Sequence, residues 1–290
     1  MIDTVTQCQT LATLILNSAF AWLIGALYCL HRLGPGGAAW QVACSTVLTR
    51  SMRWATLACL GSALLALVCA VALMGDTSLD AAVPMLPQML LETRYGHSAL
   101  AGLLAMGLLL PLFFLPRRWF ASVTLLLSLF ALARANLSHA GEAGLFSVAT
   151  ALEWLHLILV GLWVGLVAVV GWIVLPAAAK HGATVQPFLG AVSGAATLAV
   201  AGIVASGLYN AWHRIATLEQ LSEHSYGVTL MFKLAMVALA AMLGAYNRYI
   251  GFPAAVRRPQ SAIMVLRLES LVLLGALAAA AALTLQAPPQ

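Results

Sequence analysis

Residues 54–74 read WATLACLGSALLALVCAVALM, a run without any charged side chain. A helix that crosses the roughly 30 Å hydrocarbon layer of a bilayer needs about 20 apolar residues, and this run is of that length. A helix on the surface of a soluble protein would instead show a polar face. Residues 54–74 therefore predict a transmembrane helix.

The same kind of run recurs along the whole chain. Of its 290 residues, 62% are hydrophobic and 8% are charged, against about 25% charged residues in soluble domains. This excludes a soluble globular domain and a disordered chain. A membrane β-barrel is excluded because its strands alternate in segments of ~10 residues. We predict an all-α, polytopic membrane helical bundle with eight spans, at about residues 10–30, 54–74, 96–115, 119–136, 149–175, 187–212, 227–250 and 263–286.

A weak internal repeat suggests two halves of four helices each, residues 1–136 and 137–290. Arg94-Tyr95-Gly96 opens span three, and Ser225-Tyr226-Gly227 opens span seven. Because each half holds an even number of spans, the two halves would be parallel repeats. Similar apolar composition could also produce this likeness, so the duplication stays open.

Basic residues concentrate in the loops after the odd-numbered spans. With the adjoining helix ends, these loops hold ten basic residues and one acidic residue, Glu269. Lysine and arginine favour the cytoplasmic side, so both termini are expected outside, in the periplasm of a bacterium. The net charge of +5 thus indicates membrane orientation, and no nucleic-acid partner is expected. The basic residues are Arg32, Arg50, Arg53, Arg117, Arg118, Lys180, Arg248, Arg257, Arg258 and Arg267.

Five of the seven histidines fall on the predicted outer side. Histidine within a membrane is costly unless it faces the bundle interior or a partner. His156 lies deepest, about two turns into span five, and is therefore the strongest candidate ligand. For His213 and His224, which lie at the end of span six and in the loop after it, the alternative is that a histidine at the membrane interface is merely tolerated. The five are His97, His139, His156, His213 and His224.

The pair Glu153 and His156 is the sharpest local feature. Residues three apart share a helix face, and carboxylate-x-x-His pairs recur in metal-binding bundles. His139 and His97 could complete such a site if their helix ends converge. The alternative for Glu153 is an ion pair with Arg134 on the preceding span.

Sulfur side chains add a second hint. Met85 and Met89, in the outer loop before span three, could share one helical face, and thioethers are soft ligands suited to Cu(I). The alternative is that they contact only lipid or the core. The five cysteines, which include no Cys-x-x-Cys pair, are expected to be small apolar core residues.

Two charged residues, Lys233 and Glu269, lie about two turns inside their predicted spans. Lys233, about two turns into span seven, either gates a cation or extends its amine to the interface. Glu269, in span eight, is expected to pair with Arg248 or Arg267, because an unpaired charge in the membrane is costly. Gly161-x-x-x-Gly165 predicts close helix packing.

Short motifs follow one another in order over about residues 137–290. They are His139-Ala140, Leu155-His156-Leu157, Gly161-Leu162-Trp163-Val164-Gly165, Ser206-Gly207 with Asn210-Ala211, Tyr226-Gly227 with Lys233-Leu234, Asn247-Arg248, Arg267-x-Glu269 and Pro288-Pro289. In this order they resemble the copper-resistance D (CopD) family of bacterial inner-membrane proteins. The first half is similar more loosely, through span lengths and Thr93-Arg94-Tyr95-Gly96.

The resemblance implies a copper transport or copper homeostasis protein of the inner membrane that moves copper from the periplasm towards the cytoplasm, and no enzymatic activity. Its partners would be the lipid bilayer and a periplasmic copper-binding protein of the CopC type. Because histidines on adjacent helices can also hold haem iron, a haem-binding redox or haem-handling protein stays open as the alternative. The predicted copper ligands are His97, His139, His156, Glu153, His213, Met85 and Met89, with Lys233 as the gating residue.

Overall fold

The computed structural model of the chain describes residues 2–34, 37–115, 120–214 and 225–286, without the side chains at 2, 3 and 210–214. All regular secondary structure in these ranges is helical, which confirms the predicted all-α bundle. The α-helices are α1 (Ile2–Leu33), α2 (Ala39–Met74), α3 (Leu79–Ala82), α4 (Leu86–Glu92), α5 (Arg94–Leu112), α6 (Phe120–Leu137), α7 (Val148–Val169), α8 (Leu175–Lys180), α9 (Gln186–Arg214), α10 (Ser225–Tyr246), α11 (Phe252–Ala254) and α12 (Pro259–Leu283).

Eight helical stretches within these ranges are long and apolar enough to cross a membrane, as predicted. Their bounds agree with the predicted spans to within two helical turns, with one exception. Helix α2 begins at Ala39, well before residue 54. Residues 39–53 contain neither glycine nor proline, the residues that most disfavour a helix interior, so nothing stops the helix there.

The chain divides into two compact units. Unit 1 comprises Met1–Phe20 and Ala55–Ile158, and unit 2 comprises Ala21–Trp54 and Leu159–Gln290. The predicted halves at 1–136 and 137–290, with their four-plus-four repeat, stay a prediction.

In unit 1, α1 and α2 pack with the short helices α3 and α4 around an apolar cluster. Its fully buried members are Val5, Cys69, Val71, Ala72 and Ala82. The rings of Phe20 and Phe130, with centroids 5.4 Å apart, connect α1 to α6. Met89 on α4, one of the predicted ligands, packs against the apolar cluster.

In unit 2, α1 and α7 cross closely because two glycines face each other. A Cβ atom at Gly25 would overlap the backbone of Gly165, and a Cβ at Gly165 would overlap the carbonyl of Ala21. Small residues allow helix backbones to approach in this way. The close packing predicted at Gly165 is therefore confirmed.

A π turn, Val170–Val174, joins α7 to α8 in unit 2. The N–H of Leu175 donates to the carbonyl of Val170, five residues back, where an α-helix reaches back four. The next residue, Pro176, has no N–H to donate, so the carbonyl of Gly171 lacks its backbone donor. The side chain of Arg267 donates to that carbonyl instead, with Nε at 3.2 Å.

A second π turn, Asn247–Gly251, joins α10 to α11 and is likewise followed by a proline, Pro253. Here the N–H of Phe252 donates to the carbonyl of Asn247. The side chain of Gln186 donates to the carbonyl of Phe252 at 2.7 Å. Each π turn thus accommodates a proline without ending the span.

Candidate functional site

Two of the predicted histidine ligands in unit 1 lie near helix ends and have polar partners. His97 lies in the first turn of α5, and its Nε2 is 2.8 Å from the carbonyl oxygen of Leu91. His139 begins a short 3-10 helix, and its Nδ1 is 2.9 Å from Oε1 of Glu142. His97, His139 and Glu142 are exposed. Both imidazoles are therefore accessible to a ligand from solution.

His156 and Glu153 lie one turn apart on α7, and both are half-buried. The charge of Glu153 interacts with that of Arg134 on α6. Arg134 also donates from Nη1 to Oδ1 of Asn17 at 2.7 Å. The two opposite charges are thus near enough to attract each other, in keeping with the alternative that the sequence left open for Glu153.

The methionines differ in their surroundings. Met85 is exposed, with its terminal methyl near Gly75. Met89 is half-buried and packs against the apolar cluster of unit 1 together with Cys8. Cys8 is close enough to Cys69 for their thiols to interact electrostatically. We call Cys8, Cys69 and Met89 the sulfur cluster.

The sulfur cluster is a feature that the sequence did not predict, since its members lie on α1, α2 and α4. A soft monovalent metal such as Cu(I) accepts thiolate and thioether ligands. The one available signal in the sequence was that Cys8 and Cys69 lie near the same predicted end of their spans.

In the part of the chain that the structure describes, no three His, Cys, Asp or Glu side chains are gathered where they could hold one metal ion. The structure therefore does not bring His97, His139 and His156 together as a preformed site. The side chain of His213 and all of His224 lie outside the described residues. The predicted ligand set stays a prediction.

Lys233 lies in α10, about two turns from its start at Ser225, and is half-buried. Its neighbours along the helix, Phe232 and Leu234, are 52% and 57% exposed. This part of α10 therefore presents mostly apolar surface, and the charge of Lys233 lies within a span.

Among the carboxyl groups whose side chains the structure describes, the most deeply buried is in unit 2, on α12. Glu269 is 1% exposed, and its Oε1 accepts a hydrogen bond from Nε1 of Trp163 at 3.3 Å. The side chain of Asn247, also 1% exposed, faces the same carboxyl group. A Cβ atom at Gly244 would lie 3.0 Å from Oε1. We call Trp163, Asn247 and Glu269 the carboxyl site.

The predicted pairing of Glu269 with Arg248 or Arg267 is wrong. Arg248 donates to Oγ1 of Thr197 at 2.6 Å, and Arg267 donates to the carbonyl of Gly171. Residues two apart on a helix do not face each other, so Arg267 points away from Glu269. The partners of the carboxyl group are neutral.

Comparison with protein-family models covers most of the chain. The N-terminal domain model of copper resistance protein D-like proteins matches residues 1–146, and the copper resistance protein D model matches residues 183–283. The chain belongs to the copper resistance protein D family. The resemblance drawn from the short motifs is thereby confirmed. No curated protein and no solved structure matches the chain significantly.

Membership of the CopD family gives the chain a role in copper resistance or transport as a multi-pass membrane protein. Two members of the carboxyl site, Asn247 and Glu269, lie within the segment matched by the CopD model. Trp163 lies between the two matched segments, in one of the motifs that carried the resemblance.

Proposed function

We propose that this CopD family member carries copper across the bacterial inner membrane, from the periplasm towards the cytoplasm. The observation that carries the proposal is that unit 1 contains eight side chains of the kinds that copper accepts. His97, His139, His156, Glu153, Met85, Met89, Cys8 and Cys69 all belong to unit 1. Family membership supports copper as the cargo.

Capture would begin at the exposed imidazoles. His97 and His139 are accessible, and His156 with Glu153 lies deeper along α7. Imidazole suits both oxidation states of copper, whereas thioethers and thiolates suit Cu(I). Met89 and the two cysteines of the sulfur cluster would therefore hold the reduced ion. Both termini and these ligands would face the periplasm, where a CopC-like protein would deliver copper.

The experiment is copper analysis of purified single alanine variants at His97, His139, His156 and His213. We expect the largest loss of bound copper at His156 and His139 and the smallest at His213. His181→Ala is the matched control, because His181 is an exposed histidine of unit 2 that contacts the carbonyl of Ala177. Full copper retention in His156→Ala would overturn the proposed site.

The sulfur cluster is tested with Cu(I) under reducing conditions. The double variant Cys8→Ser with Cys69→Ser should lose Cu(I) relative to the wild type. The control replaces Cys29 and Cys44, a second pair of interacting thiols that lies in unit 2. Equal retention by the two double variants would exclude the cluster from capture.

Lys233 is proposed to gate passage of the cation, since a fixed positive charge repels copper. Lys233→Met and Lys233→Arg should both change the copper uptake of cells in which the protein accumulates normally. Wild-type uptake by Lys233→Met would leave Lys233 as an anchor at the interface.

The visible spectrum separates copper from haem. Copper without a haem Soret band supports the proposal. A Soret band that His156→Ala removes would keep His156 as a ligand and make the protein a haem-binding redox or haem-handling protein.

A further inference from the structure

We propose that the carboxyl site of unit 2 is a proton-binding site, at which Glu269 takes up and releases a proton within the membrane-spanning part of the chain. An ionisable side chain inside a membrane is costly, and such residues mark ion paths and proton relays. The proposed copper ligands of unit 1 and the proposed gate at Lys233 do not involve Glu269.

The charged groups on the surrounding elements do not neutralise Glu269. On α10 and its π turn, the charged neighbour Arg248 is exposed and bound to Thr197. On α12 itself, Arg267 is bound to the carbonyl of Gly171. Lys180, at the end of α8, is exposed. Among the residues that the structure describes, no fixed positive charge therefore holds Glu269 permanently ionised.

The neutral partners can satisfy both protonation states. The indole N–H of Trp163 donates to the carboxyl group and stabilises its ionised form. An amide such as that of Asn247 carries both donors and an acceptor. Within the described residues, neither Nδ2 nor Oδ1 of Asn247 makes a hydrogen bond of ordinary geometry. The Asn247 side chain faces the Glu269 carboxyl group, and turning its amide over would present either the nitrogen to an ionised carboxylate or the oxygen to a protonated one.

Glycines leave room for the amide and the carboxyl group. At Gly251, a Cβ atom would overlap Oδ1 of Asn247, and at Gly244 it would press against Oε1 of Glu269. Asn247 and Gly251 are the first and last residues of the second π turn. Arg267 donates a hydrogen bond to the first π turn, at the carbonyl of Gly171. Such π turns occur frequently at functional sites. The geometry is that of a built polar site in an apolar bundle.

When Glu269 ionises, its O–H bond breaks, the electron pair stays on the carboxylate and the proton passes to water. Uptake of a proton reverses the step. If the copper transport proposed above holds, this exchange couples copper movement to the proton gradient. The binding of the proton itself does not depend on copper.

The test is infrared difference spectroscopy of the full chain in lipid nanodiscs, without copper, as a function of pH. We expect a carbonyl band of a protonated carboxylic acid that disappears as pH rises and is missing from Glu269→Gln. A Glu269 band that stays unchanged at every pH at which the protein is folded would overturn the proposal.

Two tryptophan variants make the test independent of how well Glu269→Gln folds. Trp163→Phe removes the donor to the carboxyl group and should shift the pH midpoint of the band. Trp172→Phe is the matched control, since the Trp172 indole donates instead to Oγ of Ser270, at 3.0 Å. Identical midpoints in the two variants would contradict the assignment.

Coupling is measured separately as copper uptake into proteoliposomes with and without a pH gradient. Uptake by the wild type should respond to the gradient, and uptake by Glu269→Gln should not. If the wild type takes up no copper while its infrared band titrates, the proposed transport fails and the proton site stands.

Discussion

Unit 1 and unit 2 surround an ionisable side chain in different ways. In unit 1, Arg134 interacts with the opposite charge of Glu153 and donates to Asn17. In unit 2, the partners of Glu269 among the described residues, Trp163 and Asn247, are neutral. The first arrangement holds a charge in place, whereas the second leaves the protonation state free to change.

This difference predicts that Arg134 and Glu269 have different roles, one in stability and the other in function. Removing one partner of a paired charge within a protein strands the other partner, so Arg134 is expected to matter chiefly for stability. When a carboxyl group with neutral partners is replaced by an amide, the protein loses little stability. Glu269 should therefore matter chiefly for proton exchange.

The largest effect is expected from Arg134→Met. It leaves the half-buried Glu153 without its opposite charge, and the loss of about 3–5 kcal/mol for breaking a fully buried pair sets the upper limit. Unfolding in mixed micelles measures this loss, with the exposed Arg94→Met as the control. The double variant Arg134→Met with Glu153→Met should recover part of the stability. If it recovers none, Arg134 acts by packing and not by charge.

A smaller effect is expected from Gly244→Ala, whose new methyl group presses on the Glu269 carboxyl group. The control is Gly275→Ala on α12, where a Cβ atom would lie 3.6 Å from Sδ of Met236 in an ordinary contact. Overpacking should make Gly244→Ala about 1–2 kcal/mol less stable than the control. Equal unfolding free energies would show that the space beside the carboxyl group is not tight.

Trp163→Phe should cost about 1 kcal/mol, the net contribution of a typical hydrogen bond. Trp172→Phe should cost less, because Trp172 is 47% exposed whereas Trp163 is buried. The same unfolding assay ranks the two variants. A greater loss in Trp172→Phe would reverse the comparison between the buried and the exposed indole.

The smallest effect is expected from Glu269→Gln, below about 1 kcal/mol, since a neutral amide can accept from Trp163 and pair with Asn247. Glu153→Gln should destabilise the protein more, because it removes the charge beside Arg134. A loss in Glu269→Gln as large as that in Arg134→Met would indicate that Glu269 is held ionised and that the two units do not differ in this respect.

Hydropathy alone was sufficient to predict the eight spans, because a bilayer imposes a length and an apolar composition that are visible in runs such as residues 54–74. The N-terminal extension of α2 was missed for the same reason, since residues 39–53 are helical but less apolar. The sequence also predicted the family, from short motifs that follow one another in the order typical of the family.

The carboxyl site could not be predicted from local sequence. Trp163 and Glu269 are far apart in the chain, and only helix packing brings them together. The nearest charges in sequence, Arg248 and Arg267, suggested ion pairs that their side chains do not make. The sulfur cluster was missed likewise, because its three members lie on three helices. A signal for the π turns was present in the prolines at 176 and 253, which fall inside otherwise continuous apolar runs.

The first π turn also alters the angular register of the helix that it interrupts. Trp163 and Trp172 are nine residues apart, and at about 100° per residue they would point in opposite directions on a straight α-helix. Their indoles nevertheless reach consecutive residues, Glu269 and Ser270. The wider π turn rotates the chain less per residue than an α-helix does. A helical wheel drawn through Pro176 with α-helical geometry would therefore assign the residues after the turn to the wrong face of the helix. Because the π turn holds one residue more than an α-helical turn, deleting a single residue there would restore α-helical winding and leave the rotation of α8 unchanged.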